Sequence, residues 1–407
     1  MTESARGLLA RSPALTALLG ARALSVVGDG IGTVALVIYV VHTRGSGSGV
    51  GLLLLVVALP SLLSPLTGVV ADRYDRRLVL ATTELAQGLI AIVIVAWLPS
   101  FGLLLLLVYA RAMAATVGEP AGRSAVPSLV DDGDLTRANA LLGGVRQVAD
   151  VLGPLFGGLL VAAGGVRAGL AVDAGSFFIA APLLLRLPAL PPRGADATGP
   201  NRPTVRMQSG EGLRYVVHDP VTRAAAVGFF LIGFTAADDV ALPFLAHTLG
   251  AGDIGVGLLY AAAAFGLVVG YLWLVRSAAG RSVTTSIVLG AALLGIGNGL
   301  TGVAQWIALA VVFQIVRGVG AALFDANIQT MLQRSVAPEL LGRVMANVYG
   351  AVNVAAAIAV VLGGLLLDLT SARVVLVSAG AVGVVASGAV FALLRNRRLQ
   401  CGGSGSG

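Results

Sequence analysis

The sequence predicts an all-α integral membrane protein in which twelve transmembrane helices form two pseudo-symmetric six-helix bundles. Hydrophobic residues make up 57% of the 407 positions and charged residues only 12%, with a mean hydropathy of +0.91. A typical soluble domain, by contrast, is about 25% charged. Apolar stretches of about 20 residues recur about a dozen times, and each can cross a hydrocarbon core roughly 30 Å thick as a helix. An internal repeat divides these stretches into two sets of equal size.

The predicted spans leave short connections, and their even number places both chain ends on one side of the membrane. Counting arginines outside the spans gives about 20 on that side and three on the other, namely Arg44, Arg167 and Arg373. The positive-inside rule therefore predicts cytoplasmic termini and a multi-pass protein of the inner (plasma) membrane. The predicted spans are 15–41, 49–71, 78–98, 103–122, 139–163, 167–187, 223–245, 254–275, 283–302, 305–325, 344–367 and 373–394.

Two bundles are predicted, at residues 1–190 and 223–400, joined by a cytoplasmic linker at 191–222. The linker is rich in Pro, Gly and Arg, which is typical of a connection between domains. Its last part, SGEGLRYVVHDP, predicts a short amphipathic helix on the membrane surface, with a plain solvated loop as the alternative. Residues 401–407 are interpreted as an appended Gly/Ser linker outside the fold.

The composition argues against several kinds of active site. All 27 basic residues are arginine, so the chain lacks the lysine of a Walker A phosphate loop or of a Schiff-base cofactor. No HExxH occurs, and His42, His218 and His247 lie far apart in the sequence. We therefore expect no enzyme activity, no metal or other cofactor, no ATP-driven step and no nucleic-acid partner.

The two halves repeat at an offset of 206 positions, so that GVGLL at 49–53 recurs at 255–259. Parallel repeats related by an axis along the membrane normal allow two halves to rock about a central site. The same offset gives the residue pairs Arg111 and Arg317, Glu119 and Asp325, and Arg137 and Arg343.

A strongly charged stretch, GVVADRYDRR at 68–77, lies between the second and third predicted spans. It meets the pattern GxxxDRxGRR of the major facilitator superfamily, with Asp75 where many members have Gly. The chain resembles this family as far as Gln400. The residues that match the pattern are Gly68, Asp72, Arg73, Arg76 and Arg77.

Two further motifs support the resemblance. GPLFGG at 153–158 is similar to the family's antiporter motif GPxxGG, although Ala149 replaces an earlier Gly. Arg111 matches the family's intramembrane Arg, but Ala114 and Ala115 replace the Gln-Gly that usually follows. RALSVVGDGIGTVAL, together with GRSAVPSLV and RANAL, is most similar to the macrolide-efflux and enterobactin-exporter branch.

The resemblance implies the major facilitator fold and a cytoplasmic gate at the charged turn. In the family the motif Asp lies at the amino end of span eleven, where the helix dipole favours an anion by about 0.3–1 kcal/mol. Asp72 takes that role by resemblance, and Arg76 or Arg73 is expected to pair with Glu119. Opening towards the cytoplasm would then break these contacts. The alternative is that the arginines only set topology.

Ionised residues inside spans need an explanation, because each costs about 2.5–3.5 kcal/mol at a helix centre on insertion scales. Arg317 and Asp173 also lie within spans and rank below the main candidates, and Arg22, Glu84, Glu119 and Asp325 lie near cytoplasmic ends where side chains can snorkel. The candidates for proton coupling or for lining a central cavity are Asp29, Arg111, Arg146, Asp150, Asp238 and Asp239.

Each candidate acid has two interpretations. Arg146 and Asp150 are four residues apart and form a structural ion pair, unless Asp150 carries protons. Asp29 has no cation within one turn of its own helix, which favours a proton-exchanging acid, unless it simply neutralises Arg111. Asp238 and Asp239 point about 100° apart, so at most one faces the cavity as a second proton site, and the alternative is a charge at the outer mouth with no coupling role.

The GPLFGG motif lacks any ionisable group, so its role can only be conformational. Pro154 removes a backbone hydrogen bond, and Gly153, Gly157 and Gly158 allow bending and close packing. The motif order favours a hinge in the fifth span, with ordinary helix packing as the alternative.

These observations lead us to expect a secondary active transporter, most similar to drug:proton antiporters, that exports small amphipathic compounds by alternating access. The expected partners are a small-molecule substrate, protons and the lipid bilayer, and the expected state is a monomer. Export depends on the GPLFGG motif and on the branch resemblance alone. The alternatives are a proton-coupled importer, a uniporter, and a non-transporting receptor or scaffold.

Overall fold

A computed structural model describes residues 2–63, 73–191, 213–276 and 282–402, which are helical and contain no β-strand. Short 3-10 helices occur at Leu59–Leu63, Val126–Ser128, Asp132–Asp134 and Phe234–Ala237. The α-helices are α1 (Thr2–Arg11), α2 (Pro13–Arg44), α3 (Gly47–Ala58), α4 (Arg76–Trp97), α5 (Phe101–Ala125), α6 (Leu135–Leu185), α7 (Pro220–Gly233), α8 (Asp238–Thr248), α9 (Gly252–Arg276), α10 (Val283–Val303), α11 (Ile307–Ser335), α12 (Pro338–Leu369) and α13 (Ala372–Gly402).

The described part contains ten helices that are long and apolar enough to cross a membrane. The shorter apolar helix Gly47–Leu63 belongs to the second predicted span, whose remaining residues lie outside the described part. Helix α6, with 51 residues, contains both the fifth and the sixth predicted spans. Gly165 separates them, because its φ of 77° is a conformation that glycine adopts without steric cost. The observed helices are therefore consistent with twelve spans.

The chain forms two compact units. Unit 1 comprises Met1–His42 and Val56–Pro200, and unit 2 comprises Thr43–Leu55 and Asn201–Gly407. Each has a buried apolar core of its own. In unit 1 this core includes Leu15, Leu18, Leu80, Ala125 and Leu184, and in unit 2 it includes Phe229, Ile287, Phe324, Val344 and Val390.

Residues 47–55 of α3 belong to unit 2, although the predicted division placed them in the first bundle. The carboxylate of Asp368 accepts hydrogen bonds from the backbone N–H groups of Gly47, at 2.5 Å, and Ser48, at 3.0 Å. Amide donors at a helix amino end have no partner in the helix, so a carboxylate there stabilises α3. Gly51 allows the close approach of α12, because a Cβ at this position would lie 2.3 Å from the carbonyl oxygen of Val360.

The described part of SGEGLRYVVHDP, before α7, is helical at residues 213–218, and its location on the membrane surface stays a prediction. Asp219 then caps α7 by accepting hydrogen bonds from the N–H groups of Val221 and Thr222. At the other end of the chain, α13 continues to Gly402, two residues into the predicted linker.

Candidate functional site

Three charged side chains from three helices meet inside unit 1. Arg111, on α5, donates from Nη2 to Oδ1 of Asp29 on α2 at 2.7 Å, and from Nη1 to Oδ2 of Asp173 on α6. The Asp173 side chain is 0% exposed, whereas that of Asp29 is 37% exposed. The ring of Phe177 lies 5.5 Å from the guanidinium carbon. We call Asp29, Arg111 and Asp173 the triad.

Glycines on α2 make room for this arrangement. A Cβ at Gly32 would lie 2.2 Å from Oδ2 of Asp173, and a Cβ at Gly28 would lie 2.0 Å from Oγ of Ser176. Ser176 in turn donates to the backbone carbonyl of Asp173 at 2.7 Å. The GDGIG segment therefore positions an acid of its own and also allows α6 to bring a second acid to Arg111.

The triad contains two carboxyl groups and one cation. If both carboxyl groups are ionised, the net charge is −1, and a buried site of low dielectric constant disfavours an unbalanced charge. Addition of one proton makes the triad neutral. Of the two acids in the triad, Asp29 has the more exposed side chain. The arrangement can therefore bind and release one proton without losing the ion pair between Arg111 and Asp173.

The sequence pointed to two members of the triad and missed the third. The contact between Asp29 and Arg111 is present, which was the alternative interpretation of Asp29. Asp173 was ranked below the main candidates, yet its side chain is fully buried against Arg111. Its only sequence signal is an acid within an otherwise apolar segment, AVDAGSFF.

Unit 2 contains a second buried ion pair at the related position. Nε of Arg317, on α11, lies 2.9 Å from Oδ2 of Asp238, which opens α8 and is completely buried. The backbone carbonyl of the neighbouring Asp239 accepts a hydrogen bond from the Tyr260 hydroxyl at 2.5 Å. Unit 2 also buries Gln314, whose Nε2 donates to Oγ1 of Thr301 at 3.1 Å.

The repeat preserves the arginine but changes the helix that supplies the acid. The 206-residue offset relates Arg111 to Arg317, Gly32 to Asp238, and Asp173 to Ala379. Each unit thus has one fully buried carboxylate beside its arginine. In unit 1 this carboxylate is that of Asp173 on α6, which lies against Gly32 of α2. In unit 2 it is that of Asp238 on α8, and the α13 residue related to Asp173 is the buried Ala379.

Glu119 is the centre of an arginine cluster in unit 1. It pairs most closely with Arg22 of α2, and it lies 3.1 Å from Nε of Arg123 and 3.4 Å from Nη1 of Arg146. The expected partners were Arg73 and Arg76, and this expectation is wrong for the described residues, where no ion pair joins either arginine to Glu119. Three other arginines already surround its carboxylate.

Arg146 and Asp150 are in contact, but the contact is weak. Nε of Arg146 lies 4.0 Å from Oδ2 of Asp150, and the two side chains are 57% and 44% exposed. Exposed ion pairs contribute about 0–1 kcal/mol. The pair was predicted to lie in the span interior, and in the structure it lies on an exposed helix face.

The charged turn is described only from Arg73 onward, because Gly68 and Asp72 lie outside the described residues. Arg73 is exposed, Arg76 is buried, and Arg77 donates to the carbonyl of Leu187 at 3.4 Å. Asp75, which replaces the usual Gly, caps α4: its Oδ1 accepts from the N–H of Arg77 at 2.9 Å.

The Asp75 cap also joins two segments of unit 1. Its Oδ1 accepts from the N–H of Leu190 at 3.3 Å, and the Leu190 carbonyl accepts from the N–H of Arg76 at 3.1 Å. We therefore expect Asp75→Ala to lower the free energy of unfolding by about 1 kcal/mol, the usual loss when an N-cap is removed. Detergent unfolding of the purified protein measures this change. Asp75→Asn, which keeps an acceptor oxygen, is the control, and an equal loss in both variants would contradict the cap.

The GPLFGG motif lies in α6 where α6 packs on α2. A Cβ at Gly30 would lie 2.9 Å from Cα of Gly153, and a Cβ at Gly157 would lie 3.1 Å from Cα of Ile31. Gly158 is also buried. Residues Gly153–Gly158 keep helical dihedral angles through Pro154. The motif thus serves close helix packing in this structure, and its role as a hinge stays a prediction.

Comparison with known proteins decides the family. A sequence profile of the Major Facilitator Superfamily matches residues 18–238 and 239–400. The chain belongs to the major facilitator superfamily. This membership confirms the resemblance inferred from the motifs and makes the chain a multi-pass membrane transporter.

Curated relatives agree with this assignment. The enterobactin exporter EntS of Escherichia coli O6:K15:H31 (strain 536 / UPEC) is 30% identical over 344 residues, which are 83% of this chain and 81% of the relative. EntS of Shigella boydii serotype 18 (strain CDC 3083-94 / BS512) gives the same identity and coverage.

Among solved structures, the nucleoside transporter NupG has a TM-score of 0.78 at 13% identity, over 93% of this chain and 98% of that chain. A bacterial homologue of the iron transporter ferroportin, in its inward-facing state, has a TM-score of 0.72 at 19% identity, over 94% of this chain and 98% of that chain. These two structures are similar to this chain in fold.

Proposed function

We propose that this transporter exports small amphipathic compounds in exchange for protons. The observation that carries the proposal is the triad, in which two carboxyl groups share one arginine inside an apolar bundle. The names of the relatives at 30% identity, which are enterobactin exporters, support export as the direction. We further propose that the protein acts as a monomer in the inner (plasma) membrane with both termini in the cytoplasm.

Exchange follows from the charge balance of the triad. With both acids ionised, the site carries one excess negative charge, which either a proton on Asp29 or a hydrogen-bond donor or cation of the substrate can offset. Because the two occupants compete for the same carboxylate, one leaves when the other binds. Movement of residues 1–190 against 220–400 would expose the site to each side of the membrane in turn.

The other candidate residues take supporting roles in this proposal. The charged turn, from Gly68 and Asp72 to Arg77, is the cytoplasmic gate, and the glycines of GPLFGG let α6 adjust as the halves move. Asp238 and Arg317 hold the buried charge pair of unit 2, and Asp239 is a second candidate proton site. Arg146 and Asp150 form an exposed pair beside the Glu119 cluster, where they can also contact substrate or solvent.

Asp29→Asn tests the coupling role. The probe is enterobactin, in vesicles containing the purified protein and an imposed pH gradient. An antiporter accumulates the probe on the acidic side, because protons leave that side as the substrate enters it. We expect Asp29→Asn to lose this accumulation and to keep downhill movement of the probe, because the amide cannot exchange a proton.

The control is Asp132→Asn, which makes the same chemical change at an exposed acid between α5 and α6. It should accumulate the probe like the wild type. Accumulation on the alkaline side would indicate proton-coupled import, and equilibration of the probe without accumulation would indicate a uniporter. Undiminished pH-driven accumulation by Asp29→Asn would contradict the assignment of Asp29.

A further inference from the structure

Glu84 is a buried acid that the triad does not use. It lies on α4, about 12 Å along the helix from its first residue, and only 2% of its surface is exposed. Oε2 of Glu84 accepts a hydrogen bond from Oγ of Ser25 at 2.8 Å. The sequence placed Glu84 near a span end with access to the membrane surface, and the structure instead buries it between α2 and α4.

The surroundings of Glu84 favour its neutral form. In the part of the chain that the structure describes, no arginine lies within ion-pair distance of its carboxyl group. The charged groups that act on it are Asp29 and Arg22 of α2 and Asp173 of α6. The two aspartates repel a Glu84 carboxylate, and the guanidinium of Arg22 is already bound to Glu119. A buried carboxyl group without a paired cation avoids ionisation by holding a proton.

Glu84 is also close to the triad along α2. Arg22, Ser25 and Asp29 follow a spacing of three and four residues, so they lie on one face of α2. Ser25 is one turn, or about 6 Å, from Asp29. Its partner Glu84 therefore lies between the triad and the arginine cluster around Glu119.

We propose that Glu84 is a second proton-carrying residue of unit 1, which accepts a proton from Asp29 of the triad and releases it towards the Glu119 end of the bundle. Glu84 first releases its own proton towards that end, and one proton then moves from the carboxylic acid of Asp29 to the resulting carboxylate of Glu84. The inference rests on the proposed proton-coupled function, and it adds a carboxyl group that neither the family motifs nor the relatives' names indicate.

Infrared spectroscopy of the purified full chain tests the protonation of Glu84 without any substrate. A protonated buried carboxyl group has a C=O stretching band that shifts on exchange into heavy water and disappears when the acid ionises. We expect the difference spectrum between the wild type and Glu84→Gln at neutral pH to contain such a band. Glu119→Gln is the matched control, because its carboxylate is surrounded by three arginines and contributes no such band.

Ser25→Ala provides a second variant in case Glu84→Gln folds poorly. It keeps the carboxyl group but removes the hydrogen bond to it, so the band should move to higher frequency. A spectrum unchanged in both Glu84→Gln and Ser25→Ala would overturn the inference.

The vesicle assay with enterobactin then separates this inference from the proposed function. We expect Glu84→Gln to lose pH-driven accumulation and to keep downhill movement of the probe. If the wild type responds to the gradient and Glu84→Gln responds equally, the inference is overturned and the proposed function stands. If the wild type itself does not respond, the proposed function fails, and the inference fails with it.

Discussion

Arg111→Ala is expected to lower the free energy of unfolding by about 3–5 kcal/mol and to abolish transport. Removal of one partner from a buried ion pair leaves an uncompensated charge, which accounts for a loss of this size. Here two carboxyl groups depend on the same guanidinium, and that of Asp173 is completely buried. Unfolding in mixed detergent micelles measures the stability, and enterobactin movement in vesicles measures transport.

Arg123→Ala is the control for this prediction. Arg123 lies on the same helix, α5, and also pairs with an acid, but its side chain is 71% exposed. Arg123→Ala should lower the free energy of unfolding by no more than about 1 kcal/mol. Arg111→Lys should fall near the alanine variant in transport, because an ammonium group cannot bind two carboxylates with the fork geometry of a guanidinium. Equal stability losses in Arg111→Ala and Arg123→Ala would show that the triad is not a buried electrostatic unit.

The second prediction with a large effect on stability concerns which helix supplies the buried carboxylate next to Arg111. Unit 2 carries its acid at the position related to Gly32, and alanine at the position related to Asp173. We therefore expect the double variant Gly32→Asp with Asp173→Ala to lose less stability than the two single variants lose together. Each single change should destabilise the protein by about 3 kcal/mol or more. Asp173→Ala leaves Arg111 without its buried partner, and Gly32→Asp forces two carboxyl groups together.

A double-mutant cycle on the free energy of unfolding measures this compensation. The coupling between the two positions should be favourable by about 1–3 kcal/mol, within the range found for residues in contact. Gly32→Ala isolates the steric part, because its Cβ would lie 2.2 Å from Oδ2 of Asp173. Gly20→Ala, on the same helix with no atom within 4 Å of the added Cβ, should leave stability nearly unchanged. Additive losses in the double variant would contradict the proposed exchange of helices.

Several parts of the site could be predicted because they depend on local sequence. Asp29 and Arg111 were identified because ionisable residues inside apolar spans require a partner or a function. The position of Arg317 followed from the repeat, and its partner Asp238 was already a candidate acid. Asp75 was noticed as a departure from the family pattern, but its role as a helix cap became visible only in the structure.

The predictions that failed all concerned which side chains meet. Glu119 was assigned to Arg73 or Arg76 because these were the arginines of the motif, yet Arg22, Arg123 and Arg146 surround it. Glu84 was assigned to a span end by its sequence position, whereas the packing of α2 against α4 buries it. In both cases the deciding contact comes from another helix.

The amino-acid sequence by itself determined the twelve spans, the two related halves, the family and the intramembrane charges. Hydropathy and motifs are read from short stretches of sequence, and the repeat from comparing such stretches. They determine the spans and the charged positions because every polar group in the membrane interior must find a partner. Only the tertiary structure decided which partners these are. Arg111 bonds to residues 82 and 62 positions away in the chain. Such pairs depend on how closely helices approach, and glycines such as Gly32 set that distance through packing that no local pattern records.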